Sequence, residues 1–295
     1  MKILNIGSMN LDFVYSVDHI VTTGETEAST SLDIFLGGKG MNQSVAAAKA
    51  GAEIYHAGLI GEDGKIFIDA CKQHNVNCKY IETTEGKTGH AIIQRDKNGQ
   101  NCILLFGGAN RKLTKDFIDN VIADFSEGDI LMLQNEVNML SYIVDCAHHK
   151  KLQIALNPSP FNECLADVDA GKINYLILNE IEGEQMTGQA KPEAIIEKLL
   201  AMYPSIKIVL TLGENGAIYA DKNSIHYQPA YKVTAVDTTA AGDTFTGYFL
   251  ACISENMDVP LSLEFAAKAA AIAVTREGAV PSIPLKEEVT LFLNR

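Results

Sequence analysis

The chain alternates between short apolar runs that favour β-strands and longer runs that favour helices, and this alternation constrains its fold more than any other feature. The strand-like runs are residues 3–7, 54–59, 130–133, 153–156, 175–178 and 206–210, and the helical stretches between them include 65–74, 116–123, 141–149 and 192–202. A parallel sheet needs such helical crossovers, which cover both of its faces. The sequence therefore predicts an α/β fold with a Rossmann-like, doubly wound parallel sheet, whose ligand site lies at the carboxyl ends of the strands.

Two stretches, 13–36 and 88–106, interrupt this alternation because they read as extended chain without helices. The second contains Asn98-Gly99 between two strand-like runs, and an Asn-Gly pair favours the tight turn of a β-hairpin. We therefore expect a small β-sheet lid, built from these two stretches and inserted twice into a single domain that spans residues 1–295. No linker rich in proline or glycine and no internal repeat divides the chain.

Charge and composition exclude several classes of partner. The 295-residue chain has a formal net charge of −13, which argues against a broad surface for nucleic acid or for an anionic membrane. It has no apolar run of 18 residues and no signal-peptide pattern at its start. The six cysteines are widely spaced and form no Cys-x-x-Cys pair, which is typical of reduced thiols in a cytoplasmic protein.

A motif for binding an anion occupies residues 237–247, between a β-like run at 231–236 and an apolar, helix-compatible run at 245–253. The small residues Ala240, Ala241 and Gly242 allow a ligand to approach the backbone, and the free N–H groups of a helix's first turn favour phosphate. Asp243 stands at the mouth of this site, where a carboxylate is suited to take a proton from an attacking hydroxyl. The alternative is that Asp243 only caps the helix.

A second glycine motif, residues 37–44, follows the strand-like run 31–36 and opens an alanine-rich helix at 44–50. Its three glycines permit close backbone approach, and Asn42 lies where its side chain can reach a small polar ligand. It is not a phosphate loop of the Walker type, because Gly40 follows Lys39 where Ser or Thr is required. The alternative is a tight turn between a strand and a helix.

The two motifs, in this order, resemble the signatures of the ribokinase family of sugar and nucleoside kinases, of the phosphofructokinase-B type. The resemblance covers nearly the whole chain. Further matching segments are the opening strand at 5–12, an Asn-x-x-Glu motif at 179–182, a nucleotide loop at 211–216 and a closing loop at 278–282. The resemblance implies transfer of a phosphoryl group from ATP to a hydroxyl group.

The resemblance also implies which residues hold the acceptor. Asp243 would be the base, and the N–H groups of Ala240, Ala241 and Gly242 the anion hole. The sugar would be held, next to Asp243, by Asn10, Asp12, Gly38, Lys39, Asn42, Ala91 and Glu136. On the residues alone, Glu136 could instead be an exposed acid at a helix N-terminus, and Asn10 and Asp12 could be turn formers at a strand end.

For the nucleotide, the resemblance implies contacts from Asn179, Thr211, Gly213, Gly216, Ala241, Gly242 and Ala267. Ala267 stands where some relatives have His or Asn near the adenine, which leaves adenine selectivity open. Asn179 and Glu182 are three residues apart, so they share one face of a starting helical turn, and Glu182 could hold Mg²⁺ through water. The same pair fits a capping box, and the two interpretations are compatible.

The resemblance further implies a monovalent cation, K⁺, beside the anion hole, held mostly by backbone carbonyls. The matching positions are Asp237, Thr239, Ala273, Arg276, Gly278 and Ser282. It also implies that the lid pairs between two subunits of a homodimer.

The function that these patterns favour is an ATP-dependent sugar kinase, with D-ribose phosphorylated at O5. A kinase for fructose, 2-keto-3-deoxygluconate or adenosine, and a sugar or nucleotide sensor without activity, are the alternatives. A sensor is expected to lack the base, whereas Asp243 is present. A dehydrogenase would need Gly-x-Gly-x-x-Gly after the first strand, and residues 7–12 do not supply it.

Overall fold

The computed structural model describes residues 1–292, and their β-strands form one large sheet and one small one. In chain order the strands are β1 (Ile3–Ile6), β2 (Asn10–Ser16), β3 (Ser31–Gly37), β4 (Ile54–Ile60), β5 (Asn77–Thr83), β6 (Gly89–Arg95), β7 (Asn101–Phe106), β8 (Ile130–Gln134), β9 (Gln153–Asn157), β10 (Tyr175–Asn179), β11 (Lys207–Thr211), β12 (Ala217–Ala220) and β13 (Ile225–Gln228). Within these residues the large sheet has the order β13-β12-β11-β10-β9-β8-β1-β4-β5. Its strands are parallel from β5 to β11, and β12 and β13 add an antiparallel edge.

Helices cover both faces of this sheet. They are α1 (Lys39–Lys49), α2 (Lys65–Gln73), α3 (Lys115–Ala123), α4 (Leu140–His149), α5 (Glu180–Thr187), α6 (Pro192–Met202), α7 (Ala241–Ser254), α8 (Val259–Ala273) and α9 (Lys286–Leu291). One buried cluster joins the sheet to α1, α2, α7 and α8, and a second joins the other face to α3, α4 and α6. Neighbouring residues of one strand belong to different clusters, as Ile130 and Leu131 do, because side chains alternate across a strand.

The small sheet is the lid, with the order β3-β2-β6-β7. The β6–β7 hairpin turns at Gly99, whose φ of +79° is the left-handed conformation expected of an Asn-Gly turn. The first segment of the lid runs from Asn10 to Gly37 and follows directly after β1 in the chain. The fold is therefore the predicted parallel α/β sheet with a separate β lid.

Three local predictions are wrong. Residues 231–236 form no strand; instead the N–H of Val236 donates to the carbonyl of Val274 at the end of α8, so the segment is tied to a helix and has no strand to pair with. Helix α1 begins at Lys39 rather than at residue 44, and α7 begins at Ala241 rather than at residue 245. Both helices start earlier because their first turns are held by contacts from other elements, which are described below.

None of the helices within residues 1–292 is both long and apolar enough to cross a bilayer.

Candidate active site

A cleft of about 250 Å³ lies at the carboxyl edge of the large sheet, where the first turn of α7 faces the ends of β9, β10 and β11. Its walls bring together residues that are far apart in the sequence: Lys39 from α1, Asn179 and Glu182 from the start of α5, Thr211 from β11, and Ala240 to Asp243 from the turn before α7. A ligand site at this edge is what the strand-end rule predicts.

The carboxylate of Asp243 is held by α1, not by its own helix. Its Oδ2 accepts a hydrogen bond from Nδ2 of Asn42 at 3.0 Å, and its Oδ1 accepts one from Nε2 of Gln43 at 2.9 Å. The N-cap of α7 is Ala240, and no side chain caps that helix. Asp243 is thus not a helix cap, and two amide donors hold its carboxylate between a packed pair of helices.

The turn before Asp243 presents backbone amides to the cleft. Ala240 has a left-handed φ of +57°, a conformation that costs a residue with a side chain about 1 kcal/mol or more. The N–H of Ala241 makes only a long bond, 3.3 Å, to the carbonyl of Thr238. Within residues 1–292 the N–H groups of Gly242 and Asp243 have no acceptor. A strained turn with unpaired amides at a helix N-terminus is suited to an anion.

Glu136, which follows β8, anchors the start of α1. It lies two residues beyond β8, and its Oε2 accepts hydrogen bonds from the N–H of Lys39, at 3.0 Å, and from the hydroxyl of Ser8. The N-cap residue, Gly38, has a φ of +88°, which favours glycine, and glycine has no side chain with which to cap the helix. Glu136 is therefore not an exposed acid on its own helix; it caps α1 from another element and is half-buried.

The lid supplies the other predicted sugar residues. Asp12 on β2 pairs in register with Ala91 on β6. Asn10 is 4% exposed, and its Oδ1 accepts a hydrogen bond from Nδ2 of Asn110 at 2.8 Å. Asp12 and Asn10 are thus strand residues, not turn formers. The carboxylate of Asp12 packs against Gly37, and a Cβ atom at that position would collide with it.

Acidic groups crowd this side of the site and alter its protonation. Burial, with the nearby charge of Glu136, raises the pKa of Asp12 to about 7. Burial also raises the pKa of Glu136. Burial of Lys39 disfavours its charge, but Asp243, Glu136 and Glu182 outweigh that effect and raise the pKa of Lys39. Lys39 is therefore a half-buried cation among carboxylates, and it lines the cleft together with the turn before α7.

Asn179 and Glu182 form a complete capping box at the start of α5. The N–H of Glu182 donates to Oδ1 of Asn179 at 2.9 Å, and the N–H of Asn179 donates to Oε2 of Glu182 at 3.0 Å. Glu182 is 6% exposed and still lines the cleft. A carboxylate facing an anion hole fits a metal cation between them, so the capping role and a metal role can coexist.

The remaining predicted nucleotide residues lie at different depths. The hydroxyl of Thr211 donates to the carbonyl of Leu178 at 3.3 Å. Gly213 and Gly216 flank the turn after β11, where Gly216 has a φ of +108°. Ala267 is 8% exposed and packs in the core around α8. Among the described residues that line the cleft, Thr211 is present, whereas Gly213, Gly216 and Ala267 are not.

The predicted cation residues meet in two loops tied together by Asp237. Its Oδ1 accepts from the N–H and hydroxyl of Thr239, and its Oδ2 accepts from the N–H of Gly278 at 3.0 Å. Burial opposes the charge of Asp237, but these hydrogen bonds hold its pKa below the usual value. The guanidinium of Arg276 is paired with Glu288 at 2.5 Å, which leaves the backbone carbonyl as its means of holding a cation.

The last two predicted cation positions flank these loops. The carbonyl of Ala273 accepts a hydrogen bond from the N–H of Arg276 at 3.0 Å. The hydroxyl of Ser282 is buried and donates to the carbonyl of Ala279 at 2.7 Å. Oxygen atoms of this kind, with one carboxylate, suit a monovalent cation.

Sequence reasoning missed several residues of the site. Gln43 and Asn110 were not predicted, although each hydrogen-bonds a predicted residue. Asn157 and Thr238 line the cleft and were also missed. Two of these residues had a usable signal in the sequence: Asn157 ends β9 at the carboxyl edge of the sheet, and Gln43 directly follows the predicted residue Asn42.

Comparison with known proteins identifies the family of this chain. The family model of the pfkB carbohydrate kinases matches residues 1–286. The chain belongs to the pfkB family of carbohydrate kinases. It is 34% identical to a ribokinase of Haemophilus influenzae over 98% of this chain and 97% of that protein.

Solved structures of ribokinases agree with this assignment. A ribokinase of Thermotoga maritima matches with a TM-score of 0.91 and 34% identity, covering all of both chains. A ribokinase of Arabidopsis thaliana, complexed with ribose and ATP, matches with a TM-score of 0.88 and 26% identity, covering 100% of this chain and 99% of that one. The protein is therefore a phosphotransferase whose acceptor is an alcohol group.

Proposed function

We propose that this pfkB kinase is an ATP-dependent ribokinase, which phosphorylates D-ribose at O5. One observation carries the proposal: the carboxylate of Asp243 is fixed by two amide donors beside an anion-binding turn, and it lies next to Asn42 and Lys39, two of the residues predicted to hold a sugar. A base, an anion hole and a polyol site in one place are the parts that phosphoryl transfer requires.

In the proposed reaction, Asp243 takes the proton of the sugar hydroxyl while that oxygen attacks the γ-phosphate. The amides of Ala240, Ala241 and Gly242 receive the charge that gathers on the phosphoryl oxygens, and Lys39 adds a positive charge from the sugar side. The lid covers the sugar and excludes water, which would otherwise compete as the acceptor.

Two cations complete the proposed site. Glu182, with Asn179, would hold Mg²⁺ through water, and the metal would neutralise charge on the phosphates. The loops around Asp237 and Gly278 would hold K⁺ and steady the turn before α7. We expect turnover to rise when K⁺ replaces Na⁺ or a bulky organic cation at constant ionic strength, which separates binding at a site from screening. Equal rates in all three salts would remove the K⁺ site.

The pocket chemistry favours a sugar without a phosphate. Asp12 and Glu136 are acidic, and Lys39 is the basic side chain among the predicted sugar residues, so a phosphosugar would meet repulsion where it needs arginine or several lysines. The test is an ATP-consumption assay of ribose, 2-deoxyribose, fructose, adenosine and fructose 6-phosphate. Preference for ribose supports the proposal, and preference for adenosine or for the phosphosugar contradicts it.

Sugar binding should weaken as the pH falls. The pKa of Asp12 is raised from 3.8 to about 7, so in the free protein Asp12 becomes protonated as the pH falls below neutral. Sugar hydroxyls donate hydrogen bonds best to the ionised carboxylate, which is then lost. We expect the dissociation constant for ribose, measured by calorimetry without nucleotide, to rise up to about tenfold for each pH unit below 7.

Asp12→Asn is the control for this prediction. Asn cannot ionise, so its weaker binding should stay nearly constant between about pH 6 and pH 8. A wild-type affinity that does not change over the same range would exclude Asp12 as an ionising sugar ligand.

We also propose that the whole chain forms one kinase domain, which includes the lid, and that the protein is a homodimer that pairs through this lid. Ile34, Ile92 and Leu104 are 56%, 39% and 68% exposed, and the register of the lid strands places them on one face, next to Phe13. A row of exposed apolar side chains on a small sheet is typical of a surface that another chain covers. A monomer mass in sedimentation velocity would contradict the proposal.

A further inference from the structure

The second amide that holds Asp243 lies behind the site, not in it. Gln43 is 0% exposed, and its Nε2 lies 2.9 Å from Oδ1 of Asp243. Among the described residues that line the cleft, Asp243 is present and Gln43 is not. Gln43 therefore acts on the carboxylate from the protein interior, where a substrate does not replace it.

The direction of the Gln43 amide is itself fixed by a buried chain of hydrogen bonds. Its Oε1 accepts from Nε2 of Gln134 at 2.7 Å, and the same Nε2 lies 3.2 Å from Oδ1 of Asn5. Asn5 in turn donates to the carbonyl of Gly40 at 2.7 Å and to the hydroxyl of Ser44 at 2.8 Å. If the Gln43 amide turned over, its oxygen would face a carboxylate, so the chain keeps its NH₂ group on Asp243.

We propose that Gln43 is a positioning residue for phosphoryl transfer: it keeps the Asp243 carboxylate charged and aimed at the attacking hydroxyl, and Gln134 keeps Gln43 in the donating orientation. The proposal rests on the kinase function proposed above. Hydrogen bonds to a charged carboxylate favour that form over the protonated one. If the Gln43 donor is removed, we therefore expect protonation of the base to inhibit turnover at a higher pH than in the wild type.

Other charged groups also act on Asp243. Lys39 on α1, a cation, and Glu136 beyond β8, a carboxylate, both interact with Asp243 electrostatically. Glu182 on α5 acts on Lys39. All three remain in place in the variants below, so a change in the pH profile reports the lost hydrogen bond.

The test is the pH dependence of kcat in Gln43→Met, which keeps the side-chain length and removes the donor. Saturating sugar and ATP are used, because kcat then reports groups in the complex and not the ionisation of Asp12 in the free protein. We expect kcat at neutral pH to fall about tenfold and the acidic limb to move up by about one pH unit. Both KM values should stay within about twofold. Gln134→Met should move the limb in the same direction by less.

Two further variants separate positioning from folding. Gln153→Met changes a glutamine at the amino end of β9, whereas the cleft lies at the other end of that strand, and its pH profile should match the wild type. Gln43→Glu places a second carboxylate beside Asp243, and should move the acidic limb further up even if the Met variant proves unstable to heating.

A Gln43→Met enzyme with the wild-type profile would overturn the inference, and so would a fall in kcat at every pH without movement of the limb. A wild-type protein that consumes no ATP with any sugar of the panel would instead contradict the proposed function. The two failures are thus distinguishable.

Discussion

Asp243→Asn should lower kcat by about 10² to 10⁴, the usual contribution of a general base, with nucleotide binding retained. Asn has the shape of Asp but cannot accept the proton of the sugar hydroxyl. The fold should tolerate the change. The NH₂ group of the new side chain would face one of the two amide donors. If that donor is Asn42, its amide can turn over, because its Oδ1 has no hydrogen-bond partner among residues 1–292 and can accept a hydrogen bond from the new NH₂ group.

The measurement is steady-state turnover with ribose and ATP, together with calorimetry of ATP binding. Asp258→Asn is a matched control, because Asp258 caps α8 through the N–H of Leu261, and Asn caps a helix about as well as Asp. It should keep wild-type turnover. An Asp243→Asn enzyme that turned over like the wild type would show that the base is another group.

Gly242→Val should lower kcat by about 10² to 10³, comparable to the loss of a donor from an oxyanion hole, and leave sugar affinity nearly unchanged. A Cβ atom on Gly242 would meet no atom within 4 Å other than those of its two chain neighbours and of its own helix backbone, so the protein accommodates a side chain there. The side chain would stand in the cleft where the γ-phosphate approaches the amides. The effect should therefore fall on phosphate placement and not on the fold.

Gly242→Ala separates these two effects. Gly242 lies in the first turn of α7, and alanine in a helix is more stable than glycine by about 0.5–1 kcal/mol. The Ala variant should therefore melt no lower than the wild type while its turnover falls, and Val should reduce turnover further. Calorimetry that showed lost sugar affinity with preserved ATP turnover would reverse the assignment of the two subsites.

Features that depend on neighbours along the chain could be predicted from the sequence. The alternation of strand and helix patterns predicted the parallel sheet, because periodicity reflects which faces are buried. Asn98-Gly99 predicted the hairpin, and Asn179 with Glu182 predicted the capping box that the structure contains. Both motifs are local, since their bonding partners lie within a few residues.

Boundaries that depend on distant partners could not be predicted in this way. The start of α1 depends on Glu136, which lies 97 residues from Lys39. The run 231–236 has a β-like composition but meets the end of α8 instead of a strand edge. Neither helix propensity nor residue composition indicates which element of the fold will pack next to a given segment.

The sequence by itself determined the α/β class, the lid, and the placement of the glycine motif of residues 37–44 at the end of a strand, because these follow from local periodicity and from turn chemistry. Only the tertiary structure decided what surrounds Asp243. Asn42 and Gln43 lie 201 and 200 residues from it, and they reach its carboxylate because the sheet order packs α1 against α7. Hydrogen bonds over such separations depend on how helices pack, and a single sequence does not encode that packing in any short pattern.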